Sequence, residues 1–160
     1  MNLCDKLRED TILIPLNAAT RDEAIQELLI QLQNLEIVSG TVELFNNIDE
    51  QEKANPSAAG RGIAYPHSTS TEISKLIGIL GISKAGVDFD SPDGQLCHLI
   101  LLTLSPEGDP CGHRKFISRF RTMVENPGIR FQLVDIELPR DAVDIIHQWE
   151  LDEALDNDLE

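Results

Sequence analysis

The chain has 160 residues and a formal net charge of −15, from 13 lysines and arginines against 28 aspartates and glutamates. Its length fits one domain with its own core, and its 41% hydrophobic and 26% charged residues exclude wholesale disorder. The excess of acidic residues argues against binding to nucleic acid or to an anionic membrane and favours a basic protein partner.

The sequence also indicates where the protein works. No apolar run is long enough to cross a bilayer, and the opening residues, MNLCDKLRED, lack the basic start and apolar stretch of a signal peptide. We therefore expect a cytoplasmic protein with no membrane insertion. The three cysteines, Cys4, Cys97 and Cys111, cannot all pair within the chain, so we expect reduced thiols.

The N-terminal third of the chain predicts one strand and two helices. Residues 11–16 are β-branched and apolar and favour a strand, with its proline at a sheet edge or strand end. Thr20 followed by Glu23 is a capping box, after which apolar residues recur at helical spacing. A second helix is predicted from about Val42 to Lys53, and the stretch NPSAAGRG after it is predicted to be a loop.

Three apolar stretches in the middle of the chain are predicted to be strands. They are GIAYPH, LIGILGIS and HLILLTLS, at residues 62–67, 76–83 and 98–105. The last two are continuous apolar runs, which are typical of central strands buried on both faces. Aspartates and glycines between them indicate tight turns.

The C-terminal part of the chain predicts three helices. The first begins at Asp109, with a proline at its first position, and the second begins at Asn126 in the same way. The last covers residues 141–151. From Glu150 on, the chain is acidic with no basic residue, and we predict a solvated or frayed tail.

The segment GRGIAYPHS, residues 60–68, places His67 directly after a proline at the end of an apolar run. A histidine that attacks phosphorus needs a neutral ring in one tautomer, one exposed nitrogen and nearby donors for the phosphoryl oxygens. Pro66 restricts the backbone before the ring, and the hydroxyls and amides of residues 68–71 follow it. A histidine at a strand end is also often a structural residue, so these local features leave both interpretations open.

This segment resembles the active-site motif of the fructose, mannitol and nitrogen-regulatory (type 2) enzyme IIA domains of the bacterial phosphoenolpyruvate-dependent phosphotransferase system. The matching residues are Gly60, Gly62, Ile63, Ala64, Pro66 and His67. The later stretch GVDFDSPDGQLCHLILLTLSPEGDPCGH is similar to the family's strand, loop and second histidine, which falls on His113. The resemblance covers about residues 3–150, so we predict one IIA-like domain over 1–150 and an acidic tail over 151–160.

The resemblance implies an α/β fold in a single domain, with a mixed β-sheet of about five strands and helices on both sides. It implies that His67 accepts a phosphoryl group from phospho-HPr and that His113 hydrogen-bonds or orients this group. The group then passes to a IIB partner or serves as a regulatory signal. Such transfer needs alignment and donors for the equatorial oxygens, so we expect no metal and no organic cofactor. The cysteine–histidine pairs at 97–98 and 111–113 lack the spacing of a zinc site.

The sequence departs from the family's pattern at the end of the second predicted helix and in the loop after it. The family usually has an Arg-Glu pair where this chain has Gln51 and Glu52, so a neutral donor replaces a bidentate cation. Pro56 and Ala58 stand where a hydroxyl residue and a glycine are usual. These changes leave a second function open, a regulatory or protein-binding module of the same fold in which phosphorylation is impaired.

Polar residues near the two histidines are predicted to contact the phosphoryl group. Our hypothesis is that Arg61 swings toward His67 and replaces the missing charge, the alternative being an exposed loop arginine; Arg114 is a second candidate. The other predicted contacts are Ser68, Thr69 and Gln51. A basic cluster on the third helix is either a solvated face or a positive rim for phosphate. Its members are Arg114, Lys115, Arg119 and Arg121.

Overall fold

A computed structural model, which describes residues 2–159, has one mixed β-sheet of six strands. The strands are β1 (Ile12–Leu13), β2 (Ala58–Gly60), β3 (Ile63–Ala64), β4 (His67–Ser70), β5 (Ile77–Val87) and β6 (Cys97–Pro106). The helices are α1 (Arg21–Asn34), α2 (Val42–Ala54), α3 (Pro110–Val124), α4 (Pro127–Asp135) and α5 (Pro139–Asp158). Two short 3-10 helices, Leu3–Asp5 and Glu9–Thr11, precede β1. None of the described helices is both long and apolar enough to cross a membrane.

The sheet order is β1-β5-β6-β3-β2, with β4 also paired to β6. β5 is antiparallel to β6, whereas β3 and β4 follow one another along the other side of β6, both parallel to it. Pro66 separates these two strands because it has no N–H to give to the ladder. The sheet is mixed, as predicted, and its six strands occupy five positions because β3 and β4 lie one after the other beside β6. The stretch 62–67, predicted as one strand, is divided between β3 and β4, so His67 begins a strand.

The sheet has a hydrophobic core on each face. Ile100 and Leu102 of β6 pack in the core beside α1 and α2. Leu99 and Leu101 point the other way, into the core beneath α3, α4 and α5. This double burial explains why β5 and β6 are continuous apolar runs. Thr103 continues the face of Leu101, so it places a hydroxyl beneath the start of α3.

Most of the predicted elements are confirmed. α1 begins after Thr20, whose side chain accepts a hydrogen bond from the N–H of Glu23 at 3.4 Å. α2 spans Val42–Ala54, and α3 begins at Pro110 as its proline predicts. β1 lies at one edge of the sheet and ends before Pro15, where a missing N–H interrupts no ladder.

The prediction of a loop over residues 55–62 is wrong. The stretch NPSAAGRG contains β2, which pairs antiparallel with β3. The segment after Glu150, predicted to be solvated or frayed, is largely exposed but helical, because α5 continues to Asp158 with no glycine or proline to end it. The carboxylate of Glu150 is itself buried, and it accepts hydrogen bonds from the N–H groups of Leu3 and Cys4 at 2.9 and 3.1 Å. These bonds fix α5 to the start of the chain.

Candidate functional site

His67 is the first residue of β4 and is the register partner of Thr103 in β6. Its Nδ1 atom lies 3.1 Å from the carbonyl oxygen of Tyr65. A carbonyl oxygen only accepts hydrogen bonds, so Nδ1 carries the hydrogen. In the neutral ring, Nε2 therefore carries the free lone pair. Two backbone features, the start of β4 and the Tyr65 carbonyl, thus set both the position and the tautomer of this histidine.

His113 lies at the start of α3 and faces His67. The centroids of the two rings are 5.2 Å apart, and their planes are tilted by 37°. Nε2 of His113 is hydrogen-bonded to the hydroxyl of Thr103, with the two atoms 2.9 Å apart. Burial, followed by the charges of His67 and Arg114, lowers the pKa of His113 below its usual value. Its imidazole is therefore neutral near pH 7.

The two histidines line one side of a cavity of about 310 Å³. The same cavity is lined by residues 55–59, which follow α2 and enter β2, and by Tyr65, Ile117 and Arg121. The sheet edge, the α2–β2 link and α3 meet here, so three separate elements fix the geometry. The cavity thus combines two imidazoles, one guanidinium and the polar groups of a short loop.

Ser57 lines this cavity and has an unsatisfied hydroxyl. Its Oγ atom is buried and has no hydrogen-bond partner among the described residues. Its backbone is held in place on both sides: its N–H donates to the carboxylate of Glu52 at 3.3 Å, and its carbonyl accepts from the N–H of Tyr65 at 3.3 Å. A buried hydroxyl without a partner is costly, so this position is suited to a ligand oxygen.

Arg121 is the guanidinium that lines the cavity of the two histidines. It lies two helical turns after His113 on α3, and its Cζ atom is 4.9 Å from the centre of the Tyr65 ring. No ion pair of the described residues includes Arg121. A cation–π contact therefore holds this charge close to the cavity, and no carboxylate of residues 2–159 pairs with it.

The other cations predicted to contact the phosphoryl group lie outside this lining. Arg61 is exposed, at φ 58 in the turn between β2 and β3, and its N–H donates to the carboxylate of Asp93 at 3.0 Å. It lines a neighbouring cavity of about 290 Å³ that shares Tyr65 and Arg121 with the first. Arg114 is exposed on α3 next to His113, where its charge contributes to the lowered pKa of that ring.

The predicted neutral contacts are also away from the cavity walls. Gln51 is exposed near the end of α2. Ser68 is buried, and its hydroxyl donates to the carbonyl of Thr69 at 3.2 Å. Because side chains alternate along a strand, Ser68 points to the face opposite His67. Thr69 is on the same face as His67 but is exposed further along β4.

A larger cavity lies elsewhere, between α4 and α5, and measures about 710 Å³. Its lining includes Ile129 and Trp149, together with four carboxylates. They are Asp144, Asp152, Glu153 and Asp156. This charge would repel a phosphoryl group, so the smaller cavity with the two histidines is the candidate site.

Sequence reasoning missed three residues of the site. Arg121 was predicted only as one member of a basic cluster. The unused signal is that Arg121 follows His113 by eight residues, a spacing that puts both on one stripe of a helix with Ile117. The signal for Thr103 is a hydroxyl residue inside the apolar run HLILLTLS, and it was not used. Ser57 carried no signal, because only the folded loop buries its hydroxyl.

The sequence as a whole matches one family model, that of the phosphoenolpyruvate-dependent sugar phosphotransferase system, EIIA 2, over residues 5–149. The chain belongs to this family. The family model covers both histidines of the cavity and every strand of the sheet. It also ends beside Glu150, the residue that fixes α5 to the start of the chain.

Two relatives are similar to most of this chain. The chain is 28% identical over 148 residues to the PTS system fructose-specific EIIABC component of Bacillus subtilis. That match includes 92% of this chain but only 23% of the longer protein. The chain is 30% identical over 135 residues to a nitrogen regulatory protein of Bradyrhizobium diazoefficiens, covering 83% of this chain and 86% of that protein.

Solved structures share the fold. The nitrogen regulatory protein IIA-Ntr of Neisseria meningitidis superimposes with a TM-score of 0.81 at 21% identity, covering 89% of this chain and 97% of that one. The IIA mannitol protein of Escherichia coli gives a TM-score of 0.76 at 21% identity, covering 88% and 99%. A third is the IIAMTL chain in its complex with phosphorylated enzyme IIBMTL from Escherichia coli, with a TM-score of 0.75 at 20% identity, covering 89% and 98%.

Proposed function

We propose that this protein is a phosphoryl carrier in which Nε2 of His67 accepts a phosphoryl group and passes it on. The observation that supports this most directly is the hydrogen bond from Nδ1 of His67 to the Tyr65 carbonyl. It leaves the Nε2 lone pair as the nucleophile, in a cavity that also holds a second imidazole and a guanidinium. The proposed donor is phospho-HPr, and the proposed compartment is the cytoplasm.

The transfer balances without any movement of a proton on His67. The Nε2 lone pair forms the new N–P bond, while the bond from phosphorus to the donor's nitrogen breaks and its electrons return to the donor. The phosphorylated ring keeps its hydrogen on Nδ1 and carries a positive charge, which the carbonyl dipole of Tyr65 stabilises. When a partner's nucleophile attacks phosphorus, the same electrons return to Nε2 and regenerate the starting tautomer.

His113 positions the phosphoryl group in this proposal. Its lowered pKa keeps the ring neutral at the operating pH. Its hydrogen bond to the Thr103 hydroxyl fixes the ring plane at 37° to that of His67. A fixed, neutral ring can hydrogen-bond an equatorial oxygen without repelling the donor's imidazole, so alignment is its main contribution.

The relatives and structural neighbours support a protein as the next acceptor. One neighbour is a IIA protein solved in complex with phosphorylated enzyme IIB, and one relative is a nitrogen regulatory protein. We propose that this chain passes its phosphoryl group to a IIB partner or uses it as a regulatory signal. The net charge of −15 favours a partner with a basic surface.

The test is intact-mass analysis after incubation with phosphoenolpyruvate, enzyme I and HPr. We expect a gain of about 80 Da, one phosphoryl group, in the wild type and in His147→Ala, a control histidine exposed on α5. His67→Ala should show no gain. A parallel incubation with phosphoramidate, a small phosphoryl donor, separates chemistry from docking. Phosphorylation by phosphoramidate alone would leave His67 as acceptor and rule out HPr as donor. No gain from either donor would favour the phosphorylation-impaired binding module.

A further inference from the structure

We infer that Arg121 and Ser57 form an oxyanion site for phosphoryl oxygens in the cavity that the two histidines line. The sequence predicts no role for Ser57, and it names Arg121 only as one of four cations of a possible positive rim for phosphate. This inference deepens the proposed function, and the catalytic role of the site rests on that function. The ligand it names is a tetrahedral phosphoryl group, either bound to Nε2 of His67 or free as inorganic phosphate.

The first argument concerns charge. A phosphoryl group brings up to two negative charges into a half-buried cavity, and a nearby cation must offset their desolvation. Arg121 is the cation among the residues that line this cavity. Arg61 lines the adjacent cavity, and Arg114 is exposed outside both linings. Guanidinium suits this ligand because its planar fork can contact two phosphoryl oxygens at once.

The second argument concerns how the guanidinium is held before the ligand arrives. It stacks on the Tyr65 ring at 4.9 Å and has no carboxylate partner among the described residues. A cation–π contact is worth only about 0.5–1 kcal/mol at an exposed site. A phosphoryl oxygen can therefore displace the stacking contact, whereas it could not easily displace a paired carboxylate. Tyr65 thus serves both halves of the site, because its carbonyl orients His67 and its ring holds Arg121.

The third argument is independent of charge. Ser57 lines the same cavity, and its buried hydroxyl has no partner among the described residues, although both backbone groups of this residue are hydrogen-bonded. A hydroxyl can donate one hydrogen bond, and a phosphoryl oxygen is a strong acceptor. Filling the cavity with a phosphoryl group would satisfy the one buried side-chain polar atom that lacks a partner in the described part of the chain.

The test uses two readouts that do not depend on one another. The first is the rate of phosphoryl uptake from phospho-HPr. The second is a titration with inorganic phosphate, followed by the NMR signals of the His67 and His113 rings. The variants are Arg121→Gln, Arg121→Lys and Ser57→Ala. Two matched controls lie at exposed helical positions outside both cavities, namely Arg140→Gln and Ser118→Ala.

We expect Arg121→Gln to slow uptake and to weaken phosphate binding by about 10- to 100-fold, as the loss of a charged hydrogen-bond donor predicts. Arg121→Lys should recover part of this loss, because it restores the charge without the fork. Ser57→Ala should cost about 3- to 10-fold in both readouts. The controls should match the wild type, and thermal unfolding should confirm that Arg121→Gln is folded.

The outcomes separate the two proposals. Unchanged uptake and unchanged phosphate binding in Arg121→Gln would overturn the oxyanion site, while phosphorylation of the wild type would leave the carrier function intact. Phosphate binding that depends on Arg121, in a protein that no donor phosphorylates, would support the site and overturn the carrier function. A wild type that neither takes up a phosphoryl group nor responds to phosphate would overturn both.

Discussion

The hydroxyl of Thr103 lies 2.9 Å from Nε2 of His113. Thr103 is also the register partner of His67 in the neighbouring strand, so one buried residue of β6 connects the two histidines. Its own position is set by a backbone hydrogen bond of 3.1 Å from its N–H to the Pro66 carbonyl. The sheet therefore determines the orientation of a ring that belongs to α3.

Thr103→Val tests this arrangement. Valine preserves the shape of the side chain but leaves Nε2 of His113 without its partner, so that ring becomes free to rotate. We expect phosphoryl transfer to slow about 10-fold, through kcat and not through KM, because docking of the donor does not involve this buried hydroxyl. Steady-state kinetics with phospho-HPr would measure this. The control is Thr122→Val, which removes an exposed hydroxyl of α3. Equal loss in both variants would contradict a specific role for Thr103.

His113 also predicts how stability depends on pH. Burial lowers its pKa in the folded protein, so the unfolded chain binds a proton at a higher pH than the folded chain does. The resulting stability is fully present above the ordinary histidine pKa, and it is lost as the pH falls toward the lowered, folded-state value. We expect the free energy of unfolding of the wild type to decrease more steeply from pH 7.5 to 5.5 than that of His113→Gln. Urea denaturation at four pH values would measure both slopes, and parallel slopes would contradict the prediction.

The scaffold was predictable from sequence because its signals are local. The prolines at 110 and 127 mark helix starts, and the apolar runs of β5 and β6 identify strands buried on both faces. His67, the proposed acceptor, was singled out for a different reason, namely the likeness of its segment to a known motif. β2 was missed because its pairing with β3 is decided by the turn at residues 60–62, with φ values of 82, 58 and 78, and not by apolar residues.

The polar lining of the site was harder to predict because it depends on which side chains converge in space. Arg61 is near His67 in the sequence, whereas Arg121 is near His67 in the fold, where both line one cavity. Sequence proximity favoured Arg61, yet the turn that carries it leaves its side chain exposed. Arg121 follows His67 by 54 residues in the sequence, yet the length of α3 brings its side chain over the ring of Tyr65. A distance of this kind is set by packing, which no local pattern encodes.

The buried carboxylate of Glu150 gives a prediction about stability. It accepts hydrogen bonds from two backbone N–H groups of the first 3-10 helix and pairs with Arg119 at 2.9 Å. Glu150→Gln replaces one acceptor oxygen with an N–H donor, so at least one of the three donors, the two backbone N–H groups or Arg119, loses its partner inside the fold. We expect a loss of about 2–3 kcal/mol in the free energy of unfolding. Chemical denaturation would measure it. Glu153→Gln lies on the same helix, where the Glu153 side chain has no hydrogen-bond partner in the described part of the chain, and should change stability by less than about 0.5 kcal/mol.

The three cysteines should differ sharply in reactivity. Cys97 is fully buried, and burial raises its pKa to about 11. Cys4 is half-buried, and burial together with the nearby Glu150 carboxylate raises its pKa to about 11 as well. Both are therefore almost wholly protonated at pH 8, and a thiol reacts as its thiolate. Cys111 is exposed at the start of α3. We expect a disulfide-exchange reagent at pH 8 to label one thiol rapidly in the native protein and three after unfolding in guanidinium. Cys111→Ser should abolish the fast phase; a fast phase that survives this substitution would show that Cys4 or Cys97 is far more accessible than the packing around it indicates.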